Sequence, residues 1–326
     1  MTNDSFEKIA EVLKDAETCL IFTHIVMDGD AVGSAAALCL ALRKEGVSSF
    51  VVTEDNIAKN LAFLGEGTCI DIKEAEKRFP AGHDVSVCVD CSEESRFPKR
   101  AELFRLGRTK VCMDHHKTAD SICDLNYVDP EAGATAQLIY SLVKAMGTQM
   151  DKDIADRIYA GIATDTGNFQ YSNTTKETHQ IVAQLYDVCD SFYDVSVRIY
   201  ENEPFAKLKL QSMIFESAEL FAGGKAVIAS VTQDMLRKCH AVMDDSEGTV
   251  SRLRALENVE VAVLLRENAD GSIKASLRAK NYADVSGLCV SHGGGGHARA
   301  AGFTEYGDSE CLRQILKKEI EEKIIG

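Results

Sequence analysis

The chain has 326 residues, 45% hydrophobic and 27% charged, an ordinary globular mixture that argues against disorder. Its formal net charge of −15 excludes a protein that holds long duplex nucleic acid non-specifically, which takes many Lys and Arg contacts to phosphate. No apolar run approaches the ~18–20 residues of a membrane span, and the polar, acidic start MTNDSFEKIAEVLKD lacks the regions of a secretory signal, so a soluble cytoplasmic protein is expected.

Residues 5–16 read as an amphipathic helix with Ser5 as N-cap. Cys19–Thr23 is a short apolar strand. Ala31–Glu45, rich in Ala and Leu, is helical and stops at Gly46. Val47–Thr53 is a second strand, and the apolar runs Val85–Asp90 and Lys110–Met113 read as strands buried on both faces. Helical patterns fill 133–147 and 151–164, and Thr174-Thr-Lys-Glu177 predicts a capping box for a helix to about Val188. Strands alternating with helices imply a parallel sheet.

After about residue 200 the pattern changes. Helices at 204–218 and 232–240 flank the strand Ala226–Val231. The strands Val259–Arg266 and Ile273–Ala279 are joined by Glu267-Asn-Ala-Asp-Gly271, hairpin chemistry with Gly271 free to take positive φ. A glycine run at 293–296 and a charged helix near 308–323 follow. The reading is α/β: a parallel-sheet domain over 1–192, a linker over 193–205 broken at Glu203-Pro204, and a smaller mixed α/β domain over 206–326. Domains of ~100–200 residues are usual. Residues 206–326 hold 16 Lys+Arg against 17 Asp+Glu, a net of −1, which leaves 20 against 34, a net of −14, for residues 1–205. The acidic part welcomes cations, and the near-neutral part can present a local basic pocket. Eleven cysteines without framework spacing read as reduced thiols. Cys88-Val-Asp-Cys91, taken as a strand, points its sulfurs to opposite faces and reads as core packing.

Four element ends deliver Asp or His. Thr23-His24-Ile-Val-Met-Asp28-Gly29-Asp30 links a strand to a helix, with Gly29 permitting a sharp turn and Asp30 a natural helix cap. Asp90 and Asp114-His115-His116 each end an apolar strand, and Asp165-Thr166-Gly167 follows a helix. Asp28, Asp30, Asp90 and Asp165 with His24 and His115 suit a site for two divalent cations. The mixed oxygen and nitrogen donors favour Mn²⁺, with Mg²⁺, Fe²⁺ or Zn²⁺ as alternatives. Two such ions balance four carboxylates that otherwise repel. The run Ser291-His-Gly293-Gly294-Gly295-Gly296-His297-Ala-Arg299 is costly in chain entropy unless backbone N–H groups press against a ligand, and phosphate is the usual guest. Ser276 and Arg278 share a strand face beside it, and Arg suits bidentate phosphate recognition.

Together these motifs resemble the DHH phosphoesterase superfamily, named for the triplet seen here as Asp114-His115-His116. The first loop is similar to THxxPDGDAxGS, with Met27 where proline is usual, a departure that touches no ligand. Gly293–Gly302 and Ser276-Leu-Arg278 resemble the DHH-associated C-terminal domain, which family II pyrophosphatases lack. The compact length is most similar to the nanoRNase and pAp-phosphatase branch; stand-alone cyclic-di-AMP and pApA phosphodiesterases look alike at this level. The resemblance implies that His24, Asp28 and Asp90 hold one Mn²⁺. It implies that Asp30, Asp90, His115 and Asp165 hold a second, with Asp90 bridging. His116 then faces the scissile phosphate as a catalytic group, with Asp114 orienting a histidine. Ser276, Arg278 and the loop Gly293–His297 grip substrate across an interdomain cleft. The expected substrates are short RNA, a linear dinucleotide such as pApA, or pAp. Cyclic-di-AMP hydrolysis or pAp phosphatase activity alone are the rival readings. No long duplex, no membrane and an optional homodimer complete the expectation.

Overall fold

The structure, a computed structural model, describes residues 3–116 and 123–325. The chain divides into two units, Met1–Asn202 and Glu203–Gly326. The first opens with α1 (Phe6–Lys14), where Ser5 Oγ accepts the Lys8 amide at 3.2 Å as the N-cap. Then follow β1 (Thr18–Phe22), α2 (Gly29–Lys44), β2 (Ser48–Thr53), α3 (Ala62–Gly65), β3 (Cys69–Asp71), α4 (Ile72–Arg78), β4 (His83–Val89), α5 (Ala101–Arg105), β5 (Gly107–Asp114) and β6 (Leu125–Val128). Helices α6 (Thr135–Met146), α7 (Lys152–Asp165), α8 (Lys176–Leu185) and α9 (Tyr193–Tyr200) complete it.

All six strands pair in parallel in the order β3-β2-β1-β4-β5-β6. Every carboxyl end therefore meets the same edge. The chain winds one way from β1 and the other way from β4, and the gap between such strands is where open α/β sheets place ligands. Alternate residues serve two layers. Cys19 and Ile21 pack with α1, α2, α6 and α7, while Leu20 and Phe22 pack with Phe97 and Phe104. Helix α2 is buried from Gly29 through Cys39, which explains a composition of Ala and Leu without a polar stripe.

The second unit holds α10 (Phe205–Glu216), β7 (Glu219–Phe221), β8 (Ala226–Val231), α11 (Gln233–Cys239), α12 (Thr249–Arg254), β9 (Val261–Glu267) and β10 (Ser272–Ala279). It ends with α13 (Ser286–Ser291), β11 (Gly295–His297), β12 (Ala300–Tyr306) and α14 (Ser309–Ile320). Its sheet runs β11-β12-β10-β9-β8-β7, with β8 and β9 parallel and every other pair antiparallel. The β9–β10 hairpin turns at Gly271, whose φ is +82°. Helices cover both faces: α13 and α14 lie against Val263, Ala275 and Leu277, and α10, α11 and α12 against Val227, Ala262 and Leu264. Among the described residues no helix is long and apolar enough to cross a membrane.

Several expectations need correction. The segment 193–205 is not simply a linker: α9 occupies Tyr193–Tyr200, and its Val195 and Ile199 are buried in the first unit's core. Two apolar anchors on so short a helix leave little periodicity to read. The capping box lies one residue later, where Thr175 and Thr178 exchange side-chain and backbone bonds at 3.2 and 3.1 Å, without Glu177. Cys88 and Cys91 share one layer rather than opposite faces, because Asp90 turns left-handed at φ +59° and ends the alternation. Strands β3, β6, β7, β11 and β12 are short or polar and carried no apolar run to mark them.

His83 shows how burial sets the pH behaviour of this core. Ser86 Oγ donates to the Phe104 carbonyl at 2.8 Å, so it accepts from His83 Nε2 at 2.6 Å. His83 Nδ1 is buried without a partner, and burial pushes the imidazole down to about 4. The unfolded chain binds this proton from about pH 6.5 downward and the folded chain from about 4. Stability is therefore lost as pH falls through that window, by roughly 3 kcal/mol from this one group. Replacing His83 by Phe, beside Phe22 and Phe79, should flatten the stability–pH slope between 6.5 and 4, measured by denaturant unfolding.

Candidate metal centre

The carboxyl ends of β1, β4 and β5 are neighbours in the sheet, and each runs into a polar group. Beyond β1 lies His24, 7% exposed. Beyond β4 lies Asp90, left-handed in its backbone, with its N–H donating to the Met113 carbonyl at 2.9 Å. An Asp tolerates this backbone better than most residues. Strand β5 ends in Asp114, followed by His115 and His116. The N-terminus of α2 adds Asp28 and Asp30, and the C-terminus of α7 adds Asp165.

These side chains converge. His24 Nε2 lies 3.6 Å from Asp28 Oδ2 and 3.4 Å from Asp90 Oδ2. His115 Nε2 lies 3.5 Å from both Asp90 Oδ1 and Asp165 Oδ2. Three overlapping triads, His24/Asp28/Asp90, Asp30/His115/Asp165 and Asp90/His115/His116, each keep their ligand atoms within 4.8 Å of one another. Asp90 joins the first triad to the third, and His115 joins the third to the second. His115 Nδ1 donates to the Ala132 carbonyl at 3.2 Å, which leaves Nε2 for the centre. Asp114 Oδ1 accepts from His116 Nδ1 at 2.7 Å and from the His116 amide at 3.1 Å, so Asp114 orients His116. His116, 44% exposed at its side chain, is the most open imidazole of the three.

The cap of α2 falls on Asp28 rather than on Asp30, while both remain within the triads. Asp28 is the helix cap, accepting the Ala31 amide at 3.0 Å. Asp30 is 1% exposed and accepts from the Thr135 amide (2.6 Å), the Ala136 amide (2.9 Å) and Ser34 Oγ (2.8 Å). It thus caps α6 from another part of the chain, and the N-terminus of that helix favours its negative charge. Gly29 is required for close packing rather than for a turn: a Cβ there would sit 2.4 Å from Thr164 Oγ1 of α7. Thr135 was not foreseen as a site residue. Its hydroxyl donates to Asp90 Oδ1 at 2.8 Å while its amide serves Asp30. The one signal in the sequence was a Thr at the start of an apolar helix.

The electrostatics match a cation centre. Among the described residues no Lys or Arg stands within 4.0 Å of Asp28, Asp30, Asp90 or Asp165; the ion-pair partners of Asp28, Asp90 and Asp165 are histidines. Burial, reinforced by Asp90, Asp165 and Asp28, drives the Asp30 carboxyl well above its ordinary range. Burial, with Asp90 and Asp28 adding to it, brings Asp165 up to about 6. Burial opposes a proton on His24, yet bonds to Asp28 and Asp90 raise it to about 9. The pocket thus draws protons to offset negative charge. A divalent cation offsets it directly and leaves carboxylates and neutral imidazoles as ligands. The residues present fit such an ion.

The second group of expected site residues lies on the C-terminal unit. Arg278 and Ser276 share a face of β10, and Ser276, 8% exposed, accepts from Arg266 Nη1 at 3.3 Å. Gly294 and Gly296 answer to the β11–β12 hairpin: an added Cβ would lie 2.2 Å from the Gly302 carbonyl oxygen and 2.5 Å from that of Ala300. Gly293 has φ +75°, whereas a Cβ on Gly295 would meet nothing within 4 Å. His297 is exposed on β11, and Arg299 instead donates to the Ala283 carbonyl. His292 is pinned by Glu305 (3.1 Å) and Glu319 (2.8 Å) and stacks on Phe303.

Titrating Mn²⁺ into the protein should stabilise it against thermal unfolding, by about 2.7 kcal/mol at a hundredfold excess over Kd. Asp90→Asn should abolish the effect, and Thr135→Val should weaken Mn²⁺ binding about ten-fold with the fold retained.

Residues 18–162 match the DHH family, N-terminal domain, and residues 223–325 match the DHHA1 domain. The bifunctional oligoribonuclease and PAP phosphatase NrnA of Thermus thermophilus is 30% identical over 297 residues, 91% of this chain and 87% of that protein. The protein of the same name from Bacillus subtilis is 28% identical over 310 residues, 93% and 94% of the two chains. An exopolyphosphatase-related protein from Bacteroides fragilis shares the fold, with a TM-score of 0.91 at 24% identity over 97% of this chain and 95% of that one. With its Asp-His-His triplet at the carboxyl end of a central strand and a DHHA1 domain following, the chain belongs to the DHH family of phosphoesterases.

Proposed function

We propose that this protein is a Mn²⁺-dependent cytoplasmic phosphodiesterase that cuts short oligoribonucleotides and linear dinucleotides such as pApA to mononucleotides, and that it also removes phosphate from pAp. The observation that carries this is the sharing of Asp90 and His115 among three ligand triads, which focuses charge on one point at the sheet's switch position. Relatives named for both activities support the substrate class. Divalent cations bound there supply positive charge that polarises the phosphoester and activates water.

The chain's own groups do the rest. Asp90, His24, Asp28, Asp30, His115 and Asp165 hold the cations, and no thiolate belongs to any triad, which favours Mn²⁺ over structural zinc. His116 is raised in pKa chiefly by its bond to Asp114. As an imidazolium it presents its outer N–H to the phosphoryl or leaving oxygen. Arg278 and the open face at Gly295 hold a substrate phosphate. The −14 of residues 1–205 repels a long polyanion and favours a short one.

A panel of pAp, pApA, cyclic-di-AMP and RNA 2-mers to 10-mers, assayed with Mn²⁺ and with EDTA, tests this. Dinucleotides and the shortest RNAs should turn over fastest, and EDTA should abolish all turnover. Faster cleavage of cyclic-di-AMP than of pApA would move the assignment to cyclic dinucleotides. Phosphate from pAp without mononucleotide from dinucleotides would make it a small-molecule phosphatase. Asp90→Ala should lower kcat at least ~10³-fold, and near-normal turnover would remove the metal assignment. Gly295→Ala, which meets no atom within 4 Å, should raise KM several-fold without loss of stability.

A further inference from the structure

On one face of the first unit's sheet three thiols meet. Cys88 of β4 and Cys112 of β5 are register partners in neighbouring parallel strands, so their side chains leave the sheet on the same side. Both are buried there with Phe22, Phe97 and Phe104. Cys123, just ahead of β6, packs against the same layer and is partly exposed. Its sulfur lies 3.5 Å from that of Cys88, a direct contact.

Packing accounts for Cys88 and Cys112, since buried thiols serve as small hydrophobes. It does not account for Cys123, which joins contact with a second sulfur to a path from solvent. Hydrogen bonding from Cys112 and Cys88 brings the Cys123 thiol down to about 5, although burial opposes the shift. At neutral pH its sulfur is therefore a thiolate, the form that attacks peroxides. Cys311 makes the contrast: it is exposed, yet its bond to Asp308 raises its thiol.

We propose that Cys123 is a site of oxidation by hydroperoxides, and that it closes a reversible disulfide onto Cys88. The Cys123 thiolate attacks one peroxide oxygen, the O–O bond breaks, and the sulfur leaves as a sulfenic acid while hydroxide departs. The Cys88 sulfur then attacks the sulfenic sulfur. The S–O bond breaks, and the hydroxide released takes the Cys88 proton as water. Two thiols and one peroxide thus give one disulfide and two waters. The sulfurs must close by about 1.5 Å to reach disulfide length. Cys123 precedes the β6 ladder, so its side chain can turn without moving β4. The bridge would enclose Asp114, His115 and His116 within one covalent ring of the chain.

The test treats the full chain with hydrogen peroxide at neutral pH, blocks remaining thiols with iodoacetamide, digests without reduction and maps the peptides by mass. A linked Cys88–Cys123 peptide pair that dithiothreitol separates is expected. Cys123 should lose its thiol about ten-fold faster than Cys311, despite its lesser exposure. In Cys88→Ala the reaction should stop at a Cys123 sulfenic acid that dimedone traps, and in Cys123→Ser no bridge should form. Mapping of the parent decides alone should Cys88→Ala fail to fold. A Cys112–Cys123 bond, irreversible oxidation of Cys123 without a bridge, or oxidation of Cys311 ahead of Cys123 would overturn the proposal. The measurement reads thiols only, so its outcome is independent of the substrate assigned above.

Discussion

Negative charge that meets imidazoles but no Lys or Arg among the described residues, buried at the switch position of a parallel sheet, is the constraint on which this molecule depends. Asp30 and Asp90 lie almost wholly inside the protein, with Asp28 and Asp165 at their side, and the positive groups at hand are imidazoles. Isolated carboxylates in such a place are costly. The fold meets part of that cost locally: amides at the start of α6 and the hydroxyls of Ser34 and Thr135 turn toward Asp30 and Asp90. The remainder calls for a cation, and this is why the chemistry and the stability of the centre are one problem.

The surroundings follow from holding that charge in place. Three parallel strands end side by side and fix the backbone at His24, Asp90 and Asp114. Left-handed Asp90 turns its carboxylate away from the strand's alternation and toward His24 and His115. Glycine at position 29 lets α2 come close enough to α7 for Asp30 and Asp165 to meet one histidine. The C-terminal unit, near neutral overall, carries Arg266 and Arg278 on one sheet face, and among the described residues no carboxylate pairs with either.

Much of this was legible in the residues. Apolar runs marked β1, β4 and β5, and the Asp and His at their ends marked the centre, because a strand buried on both faces admits polar groups only where it stops. The roles within the centre were less legible. Asp28 and Asp30 both stand at the start of the same helix, so sequence favoured the cap for the wrong one; the N-terminus of α6, more than a hundred residues away, settles which is buried. Helix α9 hid in a short segment whose apolar residues fall at alternate positions, Tyr193, Val195, Val197 and Ile199, and of these only Val195 and Ile199 are buried. The glycine run was read as ligand contact alone, whereas Gly294 and Gly296 are demanded by the facing strand.

What the sequence by itself determined is the inventory: an acidic half with aspartates and histidines at element ends, a near-neutral half with glycines and arginines, and two sheets of different kind. These depend on composition, period and spacing, which are local. Tertiary structure alone decided that Asp30 is buried against the start of α6, that Thr135 bonds Asp90, that Ser276 serves Arg266, and that Cys88 and Cys91 fall in one layer. Each of these hangs on distances between segments far apart in the chain, and such distances are set by packing and strand register rather than by any residue's own propensity.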